Sequence, residues 1–253
     1  MKPVKIPNLP TGRVTTVIMD GRMPPGVKKK LSLLEVDVIE TSAHPDVYPA
    51  VACHPDIMLH HIGEATIVYA PNTPRHILEK LKAAGFETVK GYARLGNKYP
   101  ATIPYNIARV GNFAFHNTKY TDPVVKELLT GKGVEFIHTN QGYSKCLICI
   151  VDSNSILTSD ADIHKKAVNA GLEVLLVAPD PAVVLKPFEM GFLGGAAGLL
   201  SDNLLAFTGD LVFHKNYTKI LDFLSLKAVD VVMLNSGKLM DLGSILPIRQ
   251  KGE

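Results

Sequence analysis

The sequence has no tryptophan, three cysteines and 7% aromatic residues among its 253. So few rings leave little material for a surface that stacks nucleic-acid bases. Charge of one sign is scarce as well, with a formal net charge of +3. The one basic block, Lys28-Lys29-Lys30, lies beside Pro24-Pro25-Gly26 and reads as a solvated helix face. A nucleic-acid partner is therefore not expected. No apolar run approaches the roughly 18 residues of a membrane span, and Met1-Lys2-Pro3-Val4 lacks the apolar stretch of a secretory leader. Three is an odd number of cysteines, so Cys53, Cys146 and Cys149 read as free thiols in a reducing compartment, with the cytoplasm as the expected location. A chain of this length, 46% hydrophobic and 20% charged, buries enough surface without a disulfide or a structural metal. No metal and no cofactor are expected.

What the sequence does contain is a repeat. A small residue followed by an apolar–acidic–apolar run occurs as Gly133-Val134-Glu135-Phe136 and Gly171-Leu172-Glu173-Val174, and Gly85-Phe86-Glu87-Thr88 keeps the acid. Val36-Asp37-Val38 and Ala228-Val229-Asp230-Val231 are looser first and last copies. Alternation of this kind predicts half-buried strands. Ahead of the later four phrases, residues 73–84, 122–132, 160–170 and 216–227 space their apolar residues by three and four, as amphipathic helices do. Thr73-Pro74, Thr121-Asp122-Pro123 and Ser159-Asp160 carry N-terminal capping signals, and Gly85, Gly133 and Gly171 supply left-handed stops.

Ahead of each of these helices lies a hairpin signal: turns at Gly63-Glu64, Gly111-Asn112, Asp152-Ser153-Asn154 and Ser201-Asp202-Asn203, each between two short apolar runs. The first copy, Val14–Met19 followed by Pro24–Leu34, lacks a recognisable hairpin partner and reads as degenerate. The expected architecture is one α/β domain over 1–253, a propeller of five strand–strand–helix–strand units about a pseudo-fivefold axis. The units span 14–41, 58–91, 105–139, 145–177 and 195–234. A loop phrase also recurs between units: Gly91-Tyr92-Ala93-Arg94, Gly142-Tyr143-Ser144-Lys145 and Gly191-Phe192-Leu193-Gly194.

A hairpin, a helix and a third strand repeated five times over about 250 residues resembles the pentein, or guanidino-group-modifying, superfamily, as an uncharacterised branch. That superfamily includes arginine and agmatine deiminases, dimethylarginine hydrolases, amidinotransferases and a ribosome anti-association translation factor. The resemblance implies helices outside and an active site at strand ends around a central channel. It also implies a Cys nucleophile, a His acid/base and acidic residues that hold the guanidinium. In the deiminases the Cys sits in the last unit, in a glycine-rich stretch followed by His-Cys. The matching stretch, Gly191 to Leu200, keeps the glycines without His or Cys, and no cysteine follows Cys149.

Three groups of residues could carry chemistry. Cys146 follows the recurring loop, and Lys145 beside it could favour the reactive thiolate; the bland alternative is a small buried hydrophobe, the role expected of Cys149. His54-Pro55-Asp56 echoes His44-Pro45-Asp46, and a carboxylate beside an imidazole suits a general acid/base. His60 and His61 follow in a strand, where at most one of two adjacent side chains can face a site. Arg94 and Lys145 hold matching positions in the recurring loop and are expected to converge on an anionic substrate group. Asp20, Asp46, Asp56 and Glu189 are the acids that could answer a guanidinium. Gly194-Gly195-x-x-Gly198 leads into a turn instead of a helix, so it reads as close backbone approach and not as a dinucleotide site. Two readings follow. One is an enzyme acting on a C–N bond of a small molecule, by hydrolysis or amidino transfer, with Cys146, His54 and Asp56 as its catalytic groups. The other is a non-catalytic module that binds a ligand or a protein.

Overall fold

Alternating apolar residues and polar turns become five repeat sheets, beside a two-stranded one of Val183–Val184 and Leu239–Met240, in the computed structural model, which describes residues 1–252. Four sheets are contiguous in sequence: Leu59–Gly63, Thr66–Tyr69 and Glu87–Lys90; Ala108–Val110, Phe113–His116 and Glu135–His138; Ile148–Ile150, Ser155–Thr158 and Glu173–Leu176; Ala197–Ser201, Leu204–Phe207 and Asp230–Met233. In each, a tight hairpin pairs the first two strands antiparallel, and a helical crossover brings the third alongside the second in parallel.

The fifth sheet corrects the reading of the first copy. Its hairpin partner is not lost but lies at the other end of the chain: Leu246–Gln250 pairs antiparallel with Val14–Asp20, which pairs in parallel with Asp37–Thr41. The closing strand fills the place that a hairpin fills elsewhere.

The acidic residue of the repeated phrase opens the third strand of every sheet. Asp37, Glu87, Glu135, Glu173 and Asp230 stand opposite the first paired residues of their neighbours, Thr16, Thr66, Phe113, Ser155 and Leu204. All five acids are exposed. Each follows a helix that buries two residues one turn apart: Val27 and Leu31, Ile77 and Leu81, Val125 and Leu129, Ile163 and Ala167, Ile220 and Leu224. Burying such a side chain contributes roughly 1.5–3 kcal/mol, so one pair fixes each helix on its sheet. The chain leaves each helix through a left-handed residue: Gly85, Gly133 and Gly171 as the sequence predicts, Glu35 and Ala228 in the looser copies. Among the described residues no helix is long and apolar enough to cross a membrane.

Asp122 does more than cap its helix. Oδ1 accepts from Val124 N and Val125 N at 3.0 Å, while Oδ2 accepts from Tyr92 N at 2.8 Å and Ala93 N at 2.6 Å. The Tyr105 hydroxyl lies 3.1 Å away. One fully buried carboxylate thus holds the 91–95 loop against the helix Pro123–Gly131. Asp122→Ala orphans all these donors and is expected to cost about 3 kcal/mol. A urea midpoint within experimental error of wild type would contradict that role.

Candidate functional site

The segments just ahead of the five first strands, residues 54–58, 103–107, 143–147, 192–196 and 241–245, meet and are tied by side-chain and backbone hydrogen bonds. Asn106 Oδ1 accepts from Lys145 N at 2.9 Å, and Asn106 Nδ2 donates toward Asp56 O at 3.4 Å and Cys146 Sγ at 3.3 Å. Ser244 Oγ lies 3.2 Å from Asp56 Oδ2 and 2.9 Å from Gly194 O, and it accepts from Lys145 Nζ at 2.9 Å. Leu242 N donates to Gly195 O at 2.9 Å. Every sheet contributes one piece of this junction.

Cys146 is placed by a single helical turn, Ser144–Leu147, rather than by the strand that follows it. Its thiol donates to Asp56 Oδ2 at 3.1 Å. Asp56 comes from the equivalent turn Pro55–Met58, and His54 stands at that turn's N-terminus. One ligand-type atom from each of His54, Asp56 and Cys146 lies within 4.8 Å of the other two, and all three residues are buried. The His54 ring lies between two carboxylates, with Nε2 3.8 Å from Asp20 Oδ2 and Nδ1 3.9 Å from Asp241 Oδ1. Asp20 is matched by the Arg22 guanidinium, which donates from Nε at 3.0 Å to Oδ1. Asp241 is held by Phe192 N at 2.9 Å and Gly243 N at 3.1 Å.

Two glycines make room for this packing. A Cβ on Gly195 would run into the Asp241 carboxylate. One on Gly243, whose φ is 66°, would run into the His54 side chain. The glycines noted in the sequence do permit close approach, of backbone at Gly194 and Gly198 and of a carboxylate at Gly195, while the approach of the imidazole is at Gly243.

Electrostatics keep the resting thiol protonated. Burial pushes the Cys146 thiol well above its usual range, and the Asp56 and Asp241 carboxylates push the same way. The expected help from Lys145 does not outweigh them. Its ammonium turns to Ser244 and is itself pushed down by burial, against the pull of Asp56 and of both Cys149 and Cys146, and burial raises the Cys149 thiol to about 12. Burial also raises Asp241, against the pull of His54. A cavity of about 240 Å³ opens above this group. His54, Cys146 and Asp241 lie on its floor, and Tyr48, Tyr143, Phe188 and Phe192 are in its walls.

The structure therefore brings together Cys146, His54, Asp56, Asp20 and Lys145, although only Cys146 and His54 of these line that cavity. Asp20 lies behind His54, and Asp56 and Lys145 line a much smaller cavity with His60 and His61. Arg94 and Lys145 do not converge. Lys145 is buried at the junction, while Arg94 is exposed and lines a separate open surface pocket with Asp46. The loops differ because Gly142 stands six residues before its strand at Ile148, whereas residues 92–107 separate Gly91 from Ala108. Glu189 is exposed and outside the cavity lining. His44 is taken up locally, with Nδ1 accepting from Asp46 N and Nε2 2.9 Å from Pro71 O.

Asp241, Ser244 and Asn106 escaped the sequence reading. The last pre-strand segment of the chain is 241–245, not the Gly191–Leu200 stretch, and it was hidden because its strand completes the first sheet. The usable signal was Asp241-Leu242-Gly243-Ser244 followed by an apolar run. No metal was expected, yet His54, Asp56 and Cys146 offer a nitrogen, an oxygen and a sulfur at metal-ligand spacing.

A family model described as "Family of unknown function (DUF6873)" matches residues 18–246. No curated protein matches the sequence. Among solved structures, the chain is similar to an amidinotransferase from Microseira wollei in the saxitoxin biosynthetic pathway, with 13% identity, TM-score 0.58, and 97% of this chain and 98% of that one covered. It is similar to the inosamine-phosphate amidinotransferase of Streptomyces griseus, with 14% identity, TM-score 0.60, and 99% and 97% covered. It is also similar to the agmatine deiminase of C. jejuni, with 11% identity, TM-score 0.57, and 100% and 97% covered. These likenesses establish the fold, a pentein-type α/β propeller.

Proposed function

The chain belongs to the DUF6873 family of unknown function, and from that premise we propose that it is an enzyme that breaks a C–N bond in a small guanidine or amidine, with Cys146 as nucleophile. The observation that carries the reading is the meeting of the Cys146 thiol, the His54 imidazole and the Asp56 carboxylate within 4.8 Å, two of them on the floor of a cavity. The fold is shared with amidinotransferases and deiminases, which is the setting in which such a group has a use.

In this reading the cationic, planar group enters flat, with its N–H bonds toward Asp241. Its positive charge opposes the two carboxylates that keep the thiol protonated, so binding lowers the thiol pKa where the thiolate is needed. The S–H proton passes to His54, directly or by way of Asp56, as the sulfur bonds to the central carbon. The C–N bond then breaks, and the leaving amine takes a proton from His54. Water, or a second amine, displaces the sulfur and returns the proton to complete the cycle. Asp20 positions the imidazole from behind, and Ser244 and Asn106 position Asp56 and the sulfur.

A cationic alkylating reagent tests this directly. 2-Chloroacetamidine is expected to label Cys146 at least tenfold faster than neutral chloroacetamide at pH 7.5, read by peptide mass spectrometry. Equal rates, or no label on Cys146, would remove the reading in favour of a pentein that binds without catalysis.

One observation favours a second reading. Both ring nitrogens of His54 and Oδ1 of Asp56 are buried without a hydrogen-bond partner, and a His, Asp and Cys set suits zinc. Stoichiometric zinc binding lost in Cys146→Ser, with turnover that requires the metal, would select it. Zinc that only blocks alkylation and turnover would leave the thiol mechanism standing.

A further inference from the structure

The walls of the cavity constrain what the reactive group can be attached to. Its ionisable floor consists of His54, Cys146 and Asp241, and no lysine or arginine lines it among the described residues. Lys145 is turned away into the junction, and Arg94 opens on a different pocket. An α-carboxylate brought into this space would lose its water without gaining a cation, which is costly. The tyrosines are no substitute. The Tyr143 hydroxyl is engaged by Thr102 Oγ1 at 2.6 Å and lies 3.3 Å from the Tyr48 hydroxyl, and burial raises both phenols, which keeps them neutral.

The aromatic side chains form a sleeve above that floor. Tyr48 and Phe188 meet edge-on with centroids 6.0 Å apart, and Tyr143 and Phe192 lie 6.5 Å apart at 33°. Ring faces pack well against another ring, and Asp241, the one carboxylate of the lining, is taken by the amidinium, so a second cation on the tail finds no acid here. A volume of about 240 Å³ exceeds the roughly 150 Å³ that suffices to hold benzene, which leaves space for an amidinium beyond the ring.

Resting on the reading of Cys146 as nucleophile, we propose that the substrate is a guanidine or amidine carried on an uncharged aromatic or aliphatic tail, and not a guanidino amino acid or guanidino acid. The cationic end meets Asp241 and the thiol, and the tail fills the sleeve. Phe188, which is half exposed, stands where the tail meets solvent and sets its length.

The test is a binding and turnover panel on the full chain: phenylguanidine, benzamidine and phenethylguanidine against L-arginine, agmatine and 3-guanidinopropionate, with methylguanidine as the tail-less probe. Binding is read by calorimetry and by protection of Cys146 from chloroacetamidine, turnover by amine release. The aryl compounds are expected to bind at least tenfold tighter than the charged-tail compounds. Phe188→Ala and Phe192→Ala should weaken the aryl compounds several-fold more than they weaken methylguanidine, while Arg94→Ala changes none of them. L-Arginine, agmatine or 3-guanidinopropionate binding as tightly as phenylguanidine, with Cys146 still alkylated, would overturn the substrate class alone. No binding by any member and no alkylation would overturn both this inference and the reading beneath it.

Discussion

Cys146→Ser is expected to lower amine release from any guanidine substrate by at least about 10³-fold while leaving thermal stability almost unchanged. A serine hydroxyl occupies the place of the thiol and can still donate to Asp56 and accept from Asn106. The junction of the five sheets should therefore survive. What is lost is the readily formed anion: a hydroxyl is far harder to ionise than a thiol and has no strongly basic partner here. The pairing of unchanged stability with lost turnover separates catalysis from packing, since a merely buried thiol would show little of either. Activity above a tenth of wild type would sink the role of Cys146. His54→Gln should lose turnover as well, but with a changed pH profile, because in the proposed mechanism the imidazole carries the proton to the leaving amine.

A second large effect is expected from acid. Burial depresses His60 to about 3 and His61 and His116 to about 4, with the neighbouring His61 adding to the first. In the unfolded chain each titrates near 6.5. Between these values the unfolded chain binds the protons and the folded chain does not, so stability is full above about pH 6.5 and falls as the pH drops toward 4. At pH 5 each histidine costs on the order of 2 kcal/mol. Together that is about 6 kcal/mol, against the 5–15 kcal/mol by which domains are usually stable. The melting temperature should fall by more than about 10 °C between pH 7.5 and pH 5. His61→Gln should flatten that dependence by about a third, whatever it does at pH 7.5. Equal melting temperatures at the two pH values would show that these rings are not held neutral.

Local signals were legible because they are written into contiguous sequence. A turn residue between two apolar runs, a capping Asp at 122 or 160, and a glycine at 85, 133 or 171 each act within one unit, where hydrogen-bond geometry leaves few choices. Cys146, His54 and Asp56 were legible for a related reason: each sits directly ahead of a strand, at the end that the repeat directs inward. Pairing across the chain was not legible. Nothing near Val14 announces that Leu246–Gln250 is its partner, so the segment that precedes that strand, with Asp241 and Ser244, had no unit to belong to. Arg94 misled through similarity of phrase. A cation after Gly-Tyr looks alike in two loops, but the longer of them carries it out to the surface.

The joining of the two ends of the chain has a consequence during synthesis. While the ribosome is still adding residues 241–250, Val14–Asp20 has no antiparallel neighbour, and His54 lacks one of the two carboxylates beside it. The thiol, the imidazole and Asp56 are already made by then, but the floor of the cavity still lacks Asp241. A nascent or prematurely released chain would therefore carry the proposed reactive groups without the carboxylate that is to receive the cation, and it would gain that carboxylate only when the last strand docks.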